Sequence, residues 1–210
     1  MLKIYWADVS GITVDAARPL SDYRRHQLET LRHDMSRRCA LGAEYLLLEA
    51  IKEENAEFPL PPVIETDDFG KPYLRGGEFE FNLSHSDRFA ACAISDKPVG
   101  LDIQTLSQCR ESLVRRCFTE EEQDAVFSSK EPQETFTRIW CRKESFVKCL
   151  GRGLRIPLRS FDVSRGFTQD PDGHKDYAFA ECRIGDLFFC VCMDRDVLPQ
   201  SIEPKKIALP

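Results

Sequence analysis

The sequence contains the stretch Trp140-Cys-Arg-Lys-Glu-Ser-Phe-Val-Lys148, and Gly151-Arg-Gly153 follows it two residues later. Apolar residues recur at helical spacing around this stretch, which predicts a helix over Phe136–Leu150 that ends at the glycines. Glu144 and Lys148 are four residues apart, so they project from the same side of that helix. The pattern therefore sets a carboxylate beside an ammonium group.

A second informative segment is Val99-Gly-Leu-Asp-Ile-Gln104, which is typical of a short strand. Asp102 and Gln104 are two residues apart and therefore face the same side of the strand. Carboxylates such as those of Asp102 and Glu144 are the hard oxygen ligands that Mg²⁺ prefers. Together the two segments predict a divalent cation beside a phosphate group. The alternative is structural, with Asp102 as a turn residue and Glu144 as a surface carboxylate.

The composition favours a globular protein, since 42% of the 210 residues are hydrophobic and no apolar run is long enough to cross a bilayer. The first residues alternate like a strand and lack the form of a signal peptide, so we expect a cytoplasmic protein. A net charge of −6 argues against nucleic acid as the main partner. Nine scattered cysteines are interpreted as reduced thiols, mostly in the core.

The chain is predicted to consist of two halves with a similar plan, residues 1–98 and 99–210. In the first half, a helix over Tyr23–Lys52, broken near Asp34, precedes strands at Phe79–Ser84 and Phe89–Ser95. In the second half, the helix Phe136–Leu150 precedes strands near Phe161–Ser164, Tyr177–Ile184 and Leu187–Met193. This order of elements predicts an α+β fold and suggests an internal duplication.

Five motifs, in this order and at this rough spacing, closely resemble the 4'-phosphopantetheinyl transferases of the surfactin-synthetase-activating type. They are Gly70-Lys-Pro72, Phe81-Asn-Leu-Ser-His-Ser86, Val99–Gln104, Phe118-Thr-Glu-Glu-Glu122 and Trp140–Lys148. The resemblance covers about Arg37 to about Leu154. It implies two α+β halves related by a pseudo-two-fold axis, with the active site in the cleft between them.

The resemblance also implies a reaction, the transfer of phosphopantetheine from coenzyme A to a serine hydroxyl of an acyl or peptidyl carrier protein. Mg²⁺, with Mn²⁺ as an alternative, would be held by Asp102 and Glu144. Gln104 stands where the family often has glutamate, so its amide oxygen is a candidate third ligand without negative charge. Glu144 is the expected base and Lys148 the expected neutraliser of phosphate charge. Glu122 is the alternative base or a further group around the metal, unless Thr119 and Glu122 form a capping box.

Contacts with coenzyme A are implied for residues in both halves, namely Arg38, Lys71, Ser84, His85 and Lys148. Lys143 lies within the apolar stripe of its helix, where a lysine extends to the surface or binds an anion such as a coenzyme phosphate. Both interpretations of Lys143 are open at this point.

The partners expected are therefore coenzyme A and a carrier protein, with no nucleic acid and no membrane, and the chain is expected to be a monomer. An arginine cluster at Arg24, Arg25, Arg32, Arg37 and Arg38 is a candidate surface for capture of an acidic carrier, or else a solvated helix face. Two rival functions stay open: a non-catalytic carrier-protein adaptor and a Mg²⁺-dependent enzyme that cleaves phosphodiesters.

Overall fold

The structure, a computed structural model, describes residues 1–13, 19–77, 79–106 and 108–210, with the side chain of Leu154 left out. The elements in chain order are β1 (Leu2–Asp8), α1 (Asp22–Thr30), α2 (Asp34–Glu54), β2 (Ile64–Thr66), β3 (Pro72–Leu74), β4 (Glu80–Ser86), β5 (Phe89–Ser95), β6 (Gly100–Thr105), α3 (Glu111–Cys117), α4 (Glu120–Phe127), α5 (Pro132–Leu150), β7 (Phe167–Gln169), β8 (Asp176–Ile184), β9 (Leu187–Asp194) and β10 (Lys205–Lys206). The α+β class predicted from the sequence is confirmed.

The chain divides into two compact units at the boundary between Val99 and Gly100. Unit 1 comprises Met1–Val99 together with Glu203–Pro210, and unit 2 comprises Gly100–Ile202. From the sequence, all of residues 99–210 are expected in the second half. The structure instead places the last eight residues with unit 1, because β10 pairs with β1.

Unit 1 contains a four-stranded sheet in the order β10-β1-β5-β4, covered on one face by α2, and a two-stranded sheet of β2 and β3. Its core combines apolar residues of α2, such as Tyr45 and Leu46, with Phe81 of β4 and Ile94 of β5. The predicted break in the first helix is confirmed, since α1 ends at Thr30 and α2 begins at Asp34.

Unit 2 repeats this connectivity. Its antiparallel sheet has the order β6-β9-β8-β7, so the first strand again pairs with the last long strand, which pairs with the strand before it. Helix α5 packs on β6 and β9 as α2 packs on the sheet of unit 1. The expected similarity in plan of the two halves is therefore seen in their connectivity.

Helix α5 begins four residues earlier than predicted, at Pro132, and ends at Gly151, whose φ of 70° is the left-handed conformation that favours glycine. The strand predicted near Phe161–Ser164 is wrong. A short 3-10 turn covers Leu158–Ser160, and the residues that follow are held by hydrogen bonds with side chains of α4 and α5 instead of by a neighbouring strand.

Most of the cysteines are buried, as expected for small core residues. Among the residues that the structure describes, no helix combines the length and the apolar character that a membrane span requires.

Candidate active site

The candidate site of unit 2 is built where α5 crosses β6. Gly100 makes this approach close, because a Cβ atom added there would lie 1.9 Å from the carbonyl oxygen of Ser145 and 2.5 Å from the amide nitrogen of Cys149. Real Cβ atoms do not come that near to backbone atoms. Only glycine at this position lets the helix pack directly on the strand, and the packing brings Asp102 next to the side chains of Glu144 and Lys148.

Lys148 is bonded directly to the strand. Its ammonium nitrogen donates a hydrogen bond to Oδ1 of Asp102 at 2.6 Å and a second to the carbonyl oxygen of Leu101 at 3.1 Å. The Asp102 side chain is 8% exposed and that of Lys148 is 27% exposed, so the ion pair lies at the edge of the unit's interior. The lysine can still reach solvent or a bound anion.

Glu144 is the second carboxylate of the site, one helical turn before Lys148. Burial raises the pKa of Glu144, the negative charge of Asp102 raises it further, and Lys148 lowers it. Mutual repulsion of this kind between two carboxylates is relieved by a shared cation. The donor chemistry of Asp102 and Glu144 therefore fits a hard divalent cation. Within the described residues, no group of three or more His, Cys, Asp or Glu side chains is arranged to hold a metal ion.

Gln104 lies two residues after Asp102 on β6, on the same face of the strand, and is half-buried. Its strand partner on β9 is Phe188. The three residues predicted to bind the metal, Asp102, Gln104 and Glu144, thus belong to one pair of packed elements. Whether each of them ligates a cation stays a prediction.

Glu122 occupies a different place in unit 2. It forms the predicted capping box with Thr119 at the start of α4, which confirms that alternative. Oε1 accepts a hydrogen bond from the backbone of Val163 at 2.8 Å, and Oε2 lies 2.7 Å from the ammonium nitrogen of Lys143. Both side chains of this ion pair are 0% exposed. A catalytic role for Glu122 finds no support here, because both of its oxygens already accept hydrogen bonds inside the unit.

The anion that Lys143 binds is therefore a side chain of the protein itself, the carboxylate of Glu122. The ammonium group of Lys143 also donates to the carbonyl oxygens of Leu158 and Phe161, both at 2.7 Å, which fixes the segment that follows the 3-10 turn. Burial lowers the pKa of Lys143 and raises that of Glu122, and the attraction between the two opposes both changes. The suggestion that Lys143 contacts a coenzyme phosphate is not supported.

In unit 1, the predicted coenzyme contacts Arg38 and Lys71 lie on different elements. Arg38 projects from α2, where Nε donates to Asp34 at 2.7 Å and Nη1 donates to the carbonyl oxygen of Ser10. Lys71 immediately precedes β3, and its ammonium nitrogen is 4.0 Å from Oε2 of Glu80. Both cations have a carboxylate within reach.

Ser84 and His85 are consecutive residues within β4, which continues to Ser86 instead of ending in a loop at His85 as the sequence suggested. Consecutive strand residues point to opposite faces of the sheet. Ser84 is 5% exposed whereas His85 is exposed. Their side chains therefore do not lie on one face of the sheet, as a shared contact from that face would need.

The arginine cluster is also divided by the structure. Arg24 is 3% exposed, and its Nε lies 3.4 Å from Oε2 of Glu44, a fully buried residue of α2. Arg25 beside it is 58% exposed in its side chain. Capture of an acidic partner through Arg24 is therefore excluded by its burial, while Arg25 stays available.

Sequence reasoning missed two residues that shape the site. Gly100 sets the approach of the helix, and a glycine within an apolar strand is a recognised signal of such a close approach. Cys190 of β9 lies directly opposite Asp102 in the sheet, and its sulfur is 3.3 Å from the hydroxyl oxygen of Ser145. Nothing in the local sequence predicts that pairing, because it depends on the register of β6 with β9.

The known proteins that this chain resembles are 4'-phosphopantetheinyl transferases. Residues 98–190 match the family model of the 4'-phosphopantetheinyl transferase superfamily. The chain is 35% identical over 116 residues to a 4'-phosphopantetheinyl transferase of Bacillus subtilis. This alignment covers 51% of this chain and 52% of that protein. The chain is 36% identical over 142 residues to the transferase psf-1 of Bacillus pumilus, over 66% of this chain and 60% of that protein.

A longer alignment joins the chain to the transferase ffp of Bacillus subtilis, at 26% identity over 192 residues and 86% of that protein. The chain spans about half the length of the curated relatives that it matches at 35% identity. The superfamily match includes every residue of the α5–β6 site, from Gly100 to Lys148. Over residues 98–190, the chain is therefore similar to the 4'-phosphopantetheinyl transferase superfamily.

Proposed function

We propose that this protein transfers the 4'-phosphopantetheine group from coenzyme A to a serine hydroxyl of an acyl or peptidyl carrier protein, and so converts the apo carrier into the holo form. The observation that carries the proposal is the cluster of Asp102, Glu144 and Lys148 at the contact of α5 with β6. The match of residues 98–190 to the superfamily model and the activity by which the similar proteins are named support it.

Asp102 and Glu144 would hold Mg²⁺ or Mn²⁺. A cation held there would supply Lewis-acid polarisation of the attacked phosphate and would stabilise the charge on the bisphosphorylated adenosine that leaves. The chain's own contribution to holding it is a pair of carboxylates on two packed elements, one on the strand and one on the helix. Gln104, on the same face as Asp102, is the candidate third oxygen ligand.

Glu144 is the proposed base for the serine proton, directly or through a water molecule. Its raised pKa suits this role, because a carboxylate that binds protons more tightly is a better base near neutral pH. Lys148 is proposed to interact with the charge on the phosphate oxygens. With 27% of its side chain exposed, it can do so while its ammonium group remains close to Asp102.

Arg38, Lys71, Ser84 and His85 stay predictions as coenzyme contacts. The opposite orientation of Ser84 and His85 means that the ligand would meet their side chains from different faces of the sheet. A cleft between the halves as the place of the site, a monomeric state and a cytoplasmic location likewise stay predictions.

The proposal is tested by incubating an apo carrier protein with this chain, coenzyme A and Mg²⁺ and following the mass of the carrier. We expect a gain of one phosphopantetheine group at one serine. A chain that binds coenzyme A, seen as a rise in melting temperature, but leaves every carrier tested unmodified would favour the adaptor function. Hydrolysis of a phosphodiester substrate without any transfer would favour the nuclease-like alternative.

A further inference from the structure

The α5–β6 site carries less net negative charge than a site that binds a divalent cation strongly. The chain supplies two carboxylates, Asp102 and Glu144, and one ammonium group, that of Lys148, which lies 2.6 Å from Asp102. Gln104 adds an oxygen but no charge. With both carboxylates ionised, the formal charge of these four side chains is −1, and one of the two carboxylates is already neutralised by the lysine.

A divalent cation that approaches this pair meets two opposing effects. It is attracted by Asp102 and Glu144, but it is repelled by the ammonium group of Lys148, with which it must share Asp102. At a partly exposed position such charge interactions are attenuated by solvent but not removed. The chain's own donors are therefore expected to bind the cation weakly.

A bound pyrophosphate reduces the second effect, which is the repulsion of the cation by Lys148. Its oxygens are the further ligands that Mg²⁺ usually takes from a substrate. The same anion attracts Lys148, whose side chain is exposed enough to respond. Binding of the anion thus weakens the competition of Lys148 for Asp102 and supplies the negative charge that Gln104 does not. By linkage, the cation must then increase the affinity for the anion by the same factor.

We propose that this protein binds its divalent cation and the pyrophosphate of its coenzyme synergistically, because Gln104 and the Lys148–Asp102 ion pair leave the site short of negative charge. The proposal rests on the proposed function and adds to it the dependence of metal binding on coenzyme. Gln104 and Lys148 are the residues that set the strength of this dependence.

The test is a direct titration of the full chain with Mn²⁺, followed by electron paramagnetic resonance, with and without a saturating concentration of coenzyme A. No carrier protein is present, so the readout is independent of transfer. Couplings between sites typically amount to about 5-fold to 150-fold in affinity. We expect coenzyme A to lower the dissociation constant for Mn²⁺ by at least ~10-fold, within that range.

Two variants separate the residues involved. Gln104→Glu should tighten Mn²⁺ binding in the absence of coenzyme A and so reduce the ratio of the two dissociation constants. Lys148→Met should also tighten binding of Mn²⁺ alone, because the competing ammonium group is gone, and should reduce the gain from coenzyme A. Gln108→Glu is the matched control, since it adds the same charge at an exposed residue beyond the end of β6.

The outcomes distinguish this proposal from the proposed function. Equal Mn²⁺ affinity with and without coenzyme A, in a protein that still modifies a carrier, would overturn the synergy and leave the transfer reaction standing. Equal changes in Gln104→Glu and Gln108→Glu would overturn the role of Gln104. Failure of coenzyme A to bind under any metal condition, together with no modification of the carrier, would instead overturn the proposed function.

Discussion

Helix α5 carries two lysines five residues apart, and each forms an ion pair of nearly the same length in very different surroundings. Lys143 lies 2.7 Å from Glu122, and both side chains are 0% exposed. Lys148 lies 2.6 Å from Asp102 with 27% of its own side chain exposed. The first pair is enclosed and further bonded to backbone carbonyls. The second is accessible and has a second carboxylate, Glu144, beside it.

The difference shows that distance alone does not tell an enclosed ion pair from one that is open to a ligand. An enclosed pair with all its donors satisfied can only hold elements together, here α4, α5 and the segment around Val163. A pair at an accessible edge can exchange one partner for a ligand. The same short motif, Lys143-Glu144 followed by Lys148, therefore contributes one residue to the fold and two to the candidate site.

Lys143→Met should have the largest effect of the substitutions considered, because it leaves the charge of Glu122 buried without its cation. Breaking a buried pair in this way destabilises proteins by about 3–5 kcal/mol. Lys148→Met is the comparison variant, and its loss of stability should be smaller, because 27% of the Lys148 side chain is exposed whereas Lys143 is fully enclosed. Chemical denaturation of both variants measures the difference. Equal losses of stability would remove the distinction drawn between the two pairs.

Asp102→Ala should affect the reaction and not the fold. We expect the transfer rate to fall at least ~100-fold, since a residue that anchors a Lewis-acid cation contributes several kcal/mol to the reaction. Circular dichroism should be unchanged. The control is Asp186→Ala, which removes a carboxylate that is 83% exposed in the turn before β9. Turnover close to that of the unchanged protein at saturating Mg²⁺ would contradict the assignment of Asp102.

The pH dependence of Mn²⁺ binding tests how Asp102 and Lys148 change the pKa of Glu144. Burial and Asp102 raise the pKa of Glu144, so protons displace the metal at a higher pH than for an ordinary glutamate, whose pKa is about 4.3. Affinity should therefore fall as the pH drops through this raised pKa. Lys148→Met should move the fall to still higher pH, because Lys148 lowers the pKa of Glu144.

For this profile, Glu121→Gln provides the control, since Glu121 is exposed and lies outside the site. Its titration should match that of the unchanged protein. A profile of Lys148→Met that moves to lower pH would show that the charge of Lys148 does not lower the pKa of Glu144.

The smallest effect is expected at Arg25, where the comparison of enclosed and accessible charges extends to unit 1. Arg25→Glu should raise the Michaelis constant for the carrier by a few-fold, more at low salt, because complementary surface charge acts mainly on association and is screened within ~10 Å at 0.1 M salt. The Michaelis constant for coenzyme A should not change. Equal effects on both substrates would identify Arg25 as part of a solvated helix face.

The sequence predicted the positions of helices and strands better than the contacts between distant parts of the chain. Repeating apolar residues placed α5 and the break between α1 and α2 correctly. The same reasoning assigned a strand near Phe161–Ser164, where apolar and polar residues alternate. It failed because these residues are held by Lys143 and Glu122, which come from other parts of the chain.

The candidate site shows the same limit. Helical spacing was sufficient to place Glu144 beside Lys148, and strand alternation placed Gln104 on the face of Asp102. The partner of Lys148 was not predictable, since it depends on how closely Gly100 lets α5 approach β6. Burial of Arg24 was hidden for a similar reason: Glu44, its partner, is 20 residues away within a helix of otherwise apolar buried residues.

Strand β10 has a consequence for the order in which the protein is made. Its residues pair in parallel with β1, the amide of Ile207 donates to the carbonyl of Trp6 at 2.8 Å, and Lys205 is 2.6 Å from Glu53. A ribosome synthesises β1 and the rest of Met1–Val99 first, then the whole of unit 2, and only then β10. During translation, the edge of the unit 1 sheet at β1 therefore stays uncovered while more than a hundred residues of unit 2 are synthesised. An uncovered edge of this kind is a site where chains associate wrongly.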